Sequence, residues 1–225
     1  MRKRRRSGPD SGAGPEAGTG PAGNATVEDE AEVAAGSPRR DGPWDEAERP
    51  VGDDDEGRLH LGSLSVAGHA EVEVRLQVDE ASGQVGSVML VAGDGALELR
   101  AFAAPRHEDI WEEIRPRIAA EATRMGGTAT DADGPFGRAL QLLVPATAPD
   151  GQLVTQPSLV LGIAGPRWLL RVSAFGRPAV DYQQDGLLET VLRDVVVIRG
   201  TQPMAPGDPL PLRLPGNARQ LPPPS

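Results

Sequence analysis

Cysteine is absent from the 225 residues. That excludes disulfides, thiolate nucleophiles and Cys-ligated zinc or iron–sulfur centres. Histidine occurs only at His60, His69 and His107, leaving little for imidazole-based metal chemistry. Lysine occurs once, at Lys3, and the other 22 cations are arginine. This bias reads as the mark of a GC-rich genome, so arginine abundance alone carries no functional weight. No apolar run approaches the ~20 residues that span a bilayer. The opening MRKRRRSGPD has a basic cluster with no apolar segment behind it, unlike a secretory signal, and a cytoplasmic location is expected. A phosphate-binding loop with Gly-Lys-Ser/Thr is also missing, and neither Ser158 nor Ser173 stands in a nucleophile elbow.

What the chain has in quantity is glycine and proline, 28 and 22 residues, concentrated towards its two ends. Its net charge is −10, shared between an acidic N-terminal stretch and an acidic central part. An acidic globular part repels phosphate backbones, so general nucleic-acid binding is not expected. Residues 1–57 show no hydrophobic periodicity and are dominated by Gly, Pro, Ala, Asp and Glu. Such a stretch cannot bury enough apolar surface to offset its ordering entropy, and disorder is expected. Within it, Arg2 to Arg6 are read either as a solvated cluster or as a contact for an anionic surface. Asp53 to Glu56 are read as a solvated acidic linker in preference to a divalent-cation site. Trp44, in DGPWDEAERP, is an isolated anchor that docks on the domain itself or on a partner.

The ordered domain is expected over residues 58–200, organised around residues 97–125. There an alternating strand meets Pro105 and gives way to Ile110, Ile114, Ile118, Ala122 and Met125, the spacing of one helical face. Glu108, Asp109, Glu112 and Glu113 crowd the start of that helix, Arg117 and Arg124 its end, and Gly126-Gly127 stops it. Glu112 and Glu113 point in different directions and do not form a carboxylate pair, and dipole compensation accounts for Glu108 and Glu112. Pro116 lies past the first turn, and a kink near Glu112 is expected. His107, at the corner, reads as an exposed histidine, with acid–base work as the alternative.

Strands flank this helix. Residues 59–66 form a plausible short strand, and residues 70–78 alternate cleanly, the pattern of an antiparallel sheet with one dry face. The more apolar VGSVMLVA follows, and Asp94-Gly95 marks a hairpin. After the helix come strands near 128–133, 138–144, 154–163 and 167–174. Pro157 demotes its strand towards a sheet edge or a bulge. A second helix is expected from about Tyr182 to Leu192, then the β-branched DVVVIRG in the interior of the sheet. Residues 201–225 read as an extended, Pro-rich segment. Leu210, Leu212 and Leu214 would lie on one side of it, covering an edge of the domain or serving as a polyproline-type ligand. The order amounts to an α+β domain: a mostly antiparallel sheet packed against one long and one shorter helix.

Several segments together, GPWDEAE, SGQVGSVMLVAGDGALELRAFAAPRHEDIWEEIR, GGTATDADGPFG, GPRWLLR and DVVVIRGTQPMAPGDPLPLRLP, resemble an actinobacterial family, the domain of unknown function numbered 3710. The resemblance covers residues 42–215 and implies no reaction, cofactor or catalytic residue; Pro116 departs from the pattern. The element order is also similar to the PsbP-like and Mog1-like folds, an analogy of fold that does not transmit function. No catalytic, cofactor-binding or metal-binding residue is assigned. The reading expected is a non-enzymatic protein-binding or scaffolding domain with a protein partner. The alternative is a small-ligand-binding protein or hydrolase with a pocket between sheet and main helix near Trp111, Phe136 and Trp168.

Overall fold

The computed structural model describes residues 40–52, 55–79, 82–106, 108–148 and 150–215. All belong to one compact unit, Ser37–Ser225. The expectations for residues 1–39, including Arg2 to Arg6, and for Asp53, Asp54, His107 and residues 216–225 lie outside the described residues.

The alternating stretches fold locally as their periodicity dictates. Strands β4 (Glu73–Val78), β5 (Val85–Ala92) and β6 (Gly95–Ala103) form a meander. In β6 Leu97, Leu99, Ala101 and Ala103 are buried in strict alternation. The β5–β6 turn pairs Ala92 with Gly95, so it sits on Gly93-Asp94, one residue earlier than expected, and Gly93 takes the positive φ of 55°. Helix α1 (Trp111–Arg124) follows, then β7 (Thr128–Gly134), β8 (Gly137–Thr147), β9 (Leu153–Gly165) and β10 (Trp168–Gly176). These strands make one seven-stranded antiparallel sheet in the order β4-β5-β6-β10-β9-β8-β7.

Pro157 does not put β9 at the edge, because β9 lies between β10 and β8. Its pairing with β10 ends at Ser158↔Phe175, while its pairing with β8 runs on through Leu143↔Pro157. The proline thus stands where β9 has lost one neighbour, and its missing N–H breaks no ladder bond on that side.

A second, four-stranded sheet was not anticipated. It consists of β1 (Trp44–Asp45), β2 (Arg58–His60), β3 (Leu64–Ala67) and β11 (Val196–Val197), in the order β1-β11-β3-β2. Three expectations are corrected here. Residues 59–66 are not one strand but two, turned back at Gly62 with φ 83°. The apolar run at 194–200 is interior to the small sheet, not the large one. Residues 44–45, expected within a disordered tail, belong to the fold, since β1 pairs parallel with β11 and Trp44 N–H donates to the Val195 carbonyl at 2.9 Å. Trp44 therefore anchors its segment onto the domain itself. Arg58 fastens this corner, with Nη1 on Asp194 Oδ2 at 2.7 Å and Nη2 on the Asp194 carbonyl at 2.8 Å.

The second helix is shorter than expected: α3 spans Leu187–Arg193, preceded by a single turn, α2 (Arg177–Val180). The small sheet, α3 and the C-terminal segment cover one face of the large sheet. The core between them includes Leu61, Leu64 and Val66 on one side and Leu97, Leu99, Leu161, Ile163, Leu170 and Val172 on the other. Trp168 is fully buried in it, and its Nε1–H donates to Asp45 Oδ2 at 2.7 Å, tying β10 to β1. The tryptophan rests on Gly165, where an added Cβ would lie 2.1 Å from its ring.

Residues 207–212 run as a strap across both sheets. Leu210 N–H donates to the Ala101 carbonyl and Ala103 N–H to the Asp208 carbonyl, filling the end of β6 that β5 leaves unpaired. Ser63 N–H then donates to the Pro211 carbonyl and Arg213 N–H to the Leu61 carbonyl. The three leucines are not equivalent: Leu210 is buried, Leu212 packs half-buried on the core, and Leu214 is 52% exposed. The strap twists as it changes sheets, so the one-sided pattern of a straight extended segment does not hold.

Helix α1 packs on the opposite face of the large sheet, over β7, β8 and β9. It runs continuously through Pro116, so no separate N-terminal turn forms. Its buried positions are Trp111, Arg115 and Ala122, with Ile114 and Ile118 half-buried and Met125 52% exposed. The helix is therefore turned by about one residue from the isoleucine stripe. Trp111 explains the rotation: its ring lies on Gly162, where a Cβ would come within 2.2 Å of it, and its Nε1–H donates to the Arg138 carbonyl at 2.7 Å.

Candidate functional site

The residues expected to line a pocket between sheet and main helix do not share one. Trp111 belongs to the cluster under α1, while Trp168 and Phe136 belong to the core on the other side of the large sheet. The seven-stranded sheet separates them, because Trp111 comes from the helix over one face while Trp168 on β10 and Phe136 in the β7–β8 turn face the other. Both indole N–H groups are satisfied within the protein. Ser158 and Ser173 are buried in the large sheet. Glu112 does not face Glu108 as a free carboxylate but accepts from Arg115 Nη2 at 2.9 Å.

Arg115 was not singled out from the sequence. Its side chain is 10% exposed and joins Glu112 on the helix to Asp131 on β7. Hydrogen bonds to Glu112 and then Asp131 hold its guanidinium above the usual arginine range, and Arg115 in turn holds the Asp131 carboxyl below its usual range. The Glu112 half of this triangle is a local spacing of three. The Asp131 half depends on how α1 lies on β7, which no local pattern encodes.

A cleft of about 410 Å³ opens where the β5–β6 turn meets α2 and α3. Tyr182 and the buried Glu189 line it, and with Arg193 they form a triad. Tyr182 Oη–H donates to Glu189 Oε2, Arg193 Nη2 lies 2.7 Å from Glu189 Oε1, and the Arg193 guanidinium stacks over the Phe136 ring at 4.7 Å. Burial raises the Glu189 carboxyl above the usual carboxylate range, despite the opposing effects of Tyr182 and Arg193. Burial and the adjacent Glu189 push the Tyr182 phenol upward as well. Raised acids in a cleft are the usual flag of a reactive site. Here, however, both Glu189 oxygens are engaged by the chain itself, and the cleft lining holds no Ser, Thr or His. The triad holds Phe136 and the 182–193 segment together. Among the described residues no group of three His, Asp or Glu side chains could hold a metal ion, and no helix is long and apolar enough to cross a membrane.

A second cleft, about 330 Å³, lies beside Arg167 at the β9–β10 turn. Arg167 holds a positive φ of 61°, unusual for a residue other than glycine. Its carbonyl accepts from Ala104 N–H at 2.9 Å and from Arg199 Nε at 3.2 Å, contacts that account for the conformation.

The third feature is a surface. The α1-side core draws on Leu140, Leu142, Val160 and Leu169, from β8, β9 and β10, and on nothing from β4 or β5. Helices α2 and α3 reach β6 from the other side, where Pro178 and Leu188 meet Gly95. The α1-side face of β4, β5, β6 and much of β10 therefore has no helix over it among the described residues. Strand alternation places Met89, Glu98, Arg100, Phe102, Arg171 and Ser173 on that face. Arg100 and Arg171 are direct cross-strand partners. The Arg171 guanidinium lies over the Phe102 ring, 5.4 Å from its centroid. Burial first, and then Arg100, hold Arg171 below the usual arginine range, with Glu98 partly opposing. Arg100 Nε is buried without a hydrogen-bond partner. Like charges directly opposite on a sheet destabilise it, so the pair is a feature that packing alone does not explain.

No curated protein matches the chain. Among solved structures it is similar to the solution structure of cyanobacterial PsbP (CyanoP) from Synechocystis sp. PCC 6803, with 12% identity over 65% of this chain and 96% of that one and a TM-score of 0.37. At that score the likeness carries neither fold nor function to this chain. The family comparison is more extensive: residues 42–221, which take in β1, both sheets, α1 and the strap, match the family described as "Protein of unknown function (DUF3710)", and the chain belongs to it.

Proposed function

We propose that the chain is a non-enzymatic, protein-binding domain acting in the cytoplasm of an actinobacterium, and that the uncovered half of its large sheet is the docking surface. The observation that carries this reading is the asymmetry of that sheet. One face is covered by a second sheet, α3 and the strap, while among the described residues the other is covered by α1 over β7 to β9 and the Leu169 position of β10. A sheet face bearing Met89 and Phe102 among arginines has the mixture of apolar area and charge that partner surfaces carry. The first cleft competes poorly with it, since its buried carboxylate, Glu189, is taken up by Tyr182 and Arg193. The preference for arginine over lysine, 22 to one, supports the source.

The test is affinity purification of the tagged full chain from its native cells beside the double variant Met89→Glu, Phe102→Ser. Proteins recovered with the natural chain and lost with the variant, at an unchanged melting temperature, support the reading. Recovery of the same set with both chains sinks it.

A further inference from the structure

We propose that the occupant of this face is an acidic amphipathic helix from a partner protein, lying beside α1 with carboxylates on Arg100 and Arg171. The inference rests on the docking reading above and adds the chemistry of the partner. Size is the first argument. Four strands at ~4.8 Å spacing make a strip roughly 14 Å across, close to the 10–12 Å diameter of an α-helix with its side chains. The strip lies next to a helix already seated on the same sheet, so a second helix completes the layer that α1 begins.

Charge is the second argument. Arg100 and Arg171 stand opposite each other, and neither forms an ion pair among the described residues. The Arg75–Glu73 pair further out on β4 is already closed at 2.6 Å. Glu98, beside the two arginines, acts on Arg171 through space only. Two adjacent guanidinium groups, one held flat by Phe102, are a receptor for carboxylates, which accept from a guanidinium fork in two parallel bonds. The cationic area is limited to this pair of arginines on a chain that carries −10, too small for a phosphate backbone but matched to a few carboxylates on one side of a helix. Met89 and Phe102 supply the apolar floor that the uncharged side of an amphipathic helix needs.

The test uses the full-length, isotope-labelled chain and two 18-residue helical peptides that share one apolar face, one with glutamate and one with lysine on the polar face. Backbone amide shifts are followed by NMR. The glutamate peptide is expected to shift amides at 86–91, 98–103 and 169–174, and the lysine peptide to leave them in place. Arg100→Ser and Arg171→Ser are each expected to weaken the glutamate peptide by roughly tenfold or more, with melting temperature unchanged.

Equal shifts of these amides by both peptides overturn the acidic partner but leave the docking face standing. Silence with both peptides, or glutamate-peptide shifts on other strands, overturns the acidic helix; the docking face then stands or falls on the purification experiment alone. Inorganic phosphate shifting the same amides as strongly as the glutamate peptide overturns the helix in favour of a small-anion site. A concentration-dependent shift of these amides without peptide overturns it in favour of a second copy of this chain.

Discussion

The two buried tryptophans rest on glycines three residues apart along the same strand, β9, and so lie on opposite faces of the large sheet. Trp168 rests on Gly165, fully buried between two sheets, and is tied to Asp45. Trp111 rests on Gly162 beneath a helix that covers only part of its face. The local device is the same: a strand glycine leaves room for an indole ring, and the indole N–H is satisfied nearby. What differs is the layer above. Around Trp168 three separate pieces of chain converge, and around Trp111 one helix ends and open sheet begins. Among the described residues one face of the sheet is a sealed core, and the other is half core and half surface.

The sharpest way to break the comparison is Trp168→Ala. Removing a wholly buried indole costs ~3–5 kcal/mol, and at this chain length the melting temperature is expected to fall by roughly 6–20 °C. A smaller loss is expected on deleting residues 201–225. Leu210 alone contributes about 1.5–3 kcal/mol before its ordering entropy; a net fall of ~2 kcal/mol and increased hydrophobic-dye binding are expected by thermal melt and fluorescence. Gly162→Ala pushes a methyl group into the Trp111 ring and is expected to cost ~1–2 kcal/mol, read from chemical denaturation together with a change in tryptophan emission. Smallest of all, Arg171→Gln is expected to leave stability unchanged or raise it by up to ~0.5 kcal/mol, since it relieves a like-charge cross-strand pair. A clear loss there would mean that Arg171 belongs to the fold and not to a surface.

The same comparison marks what could be read from the sequence. Strands β4 to β6, the helix and the β9–β10 hairpin were legible because their signals are local: alternation, a 3.6-residue period, Gly and Pro at turns. The second sheet was not, because Trp44-Asp45 and Val196-Val197 are two-residue strands that exist only by pairing with each other and with β3. The candidate face was illegible for a related reason. Arg100 and Arg171 stand in ordinary alternating strands, and only the strand order makes β6 and β10 neighbours and sets α1 over β7 to β9. The Trp111–Phe136–Trp168 pocket failed on the same point, since aromatic content reveals nothing about which side of a sheet each ring takes.

The strap has a consequence for how the chain reaches this state. While the polypeptide is being made, Trp44 has no partner until Val196 has been synthesised, and the far end of β6 stays open until residues 208–210 follow. The seven-stranded sheet can assemble from hairpins as they emerge, but its sealed face cannot close. Such late, distant pairings slow folding, because loop-closure entropy is lost before any contact repays it. Until then an apolar sheet face and an unpaired strand edge are exposed together, the combination that recruits chaperones or self-associates. Ribosome-bound chains halted shortly before residue 208 are therefore the species in which this protein is most open to aggregation.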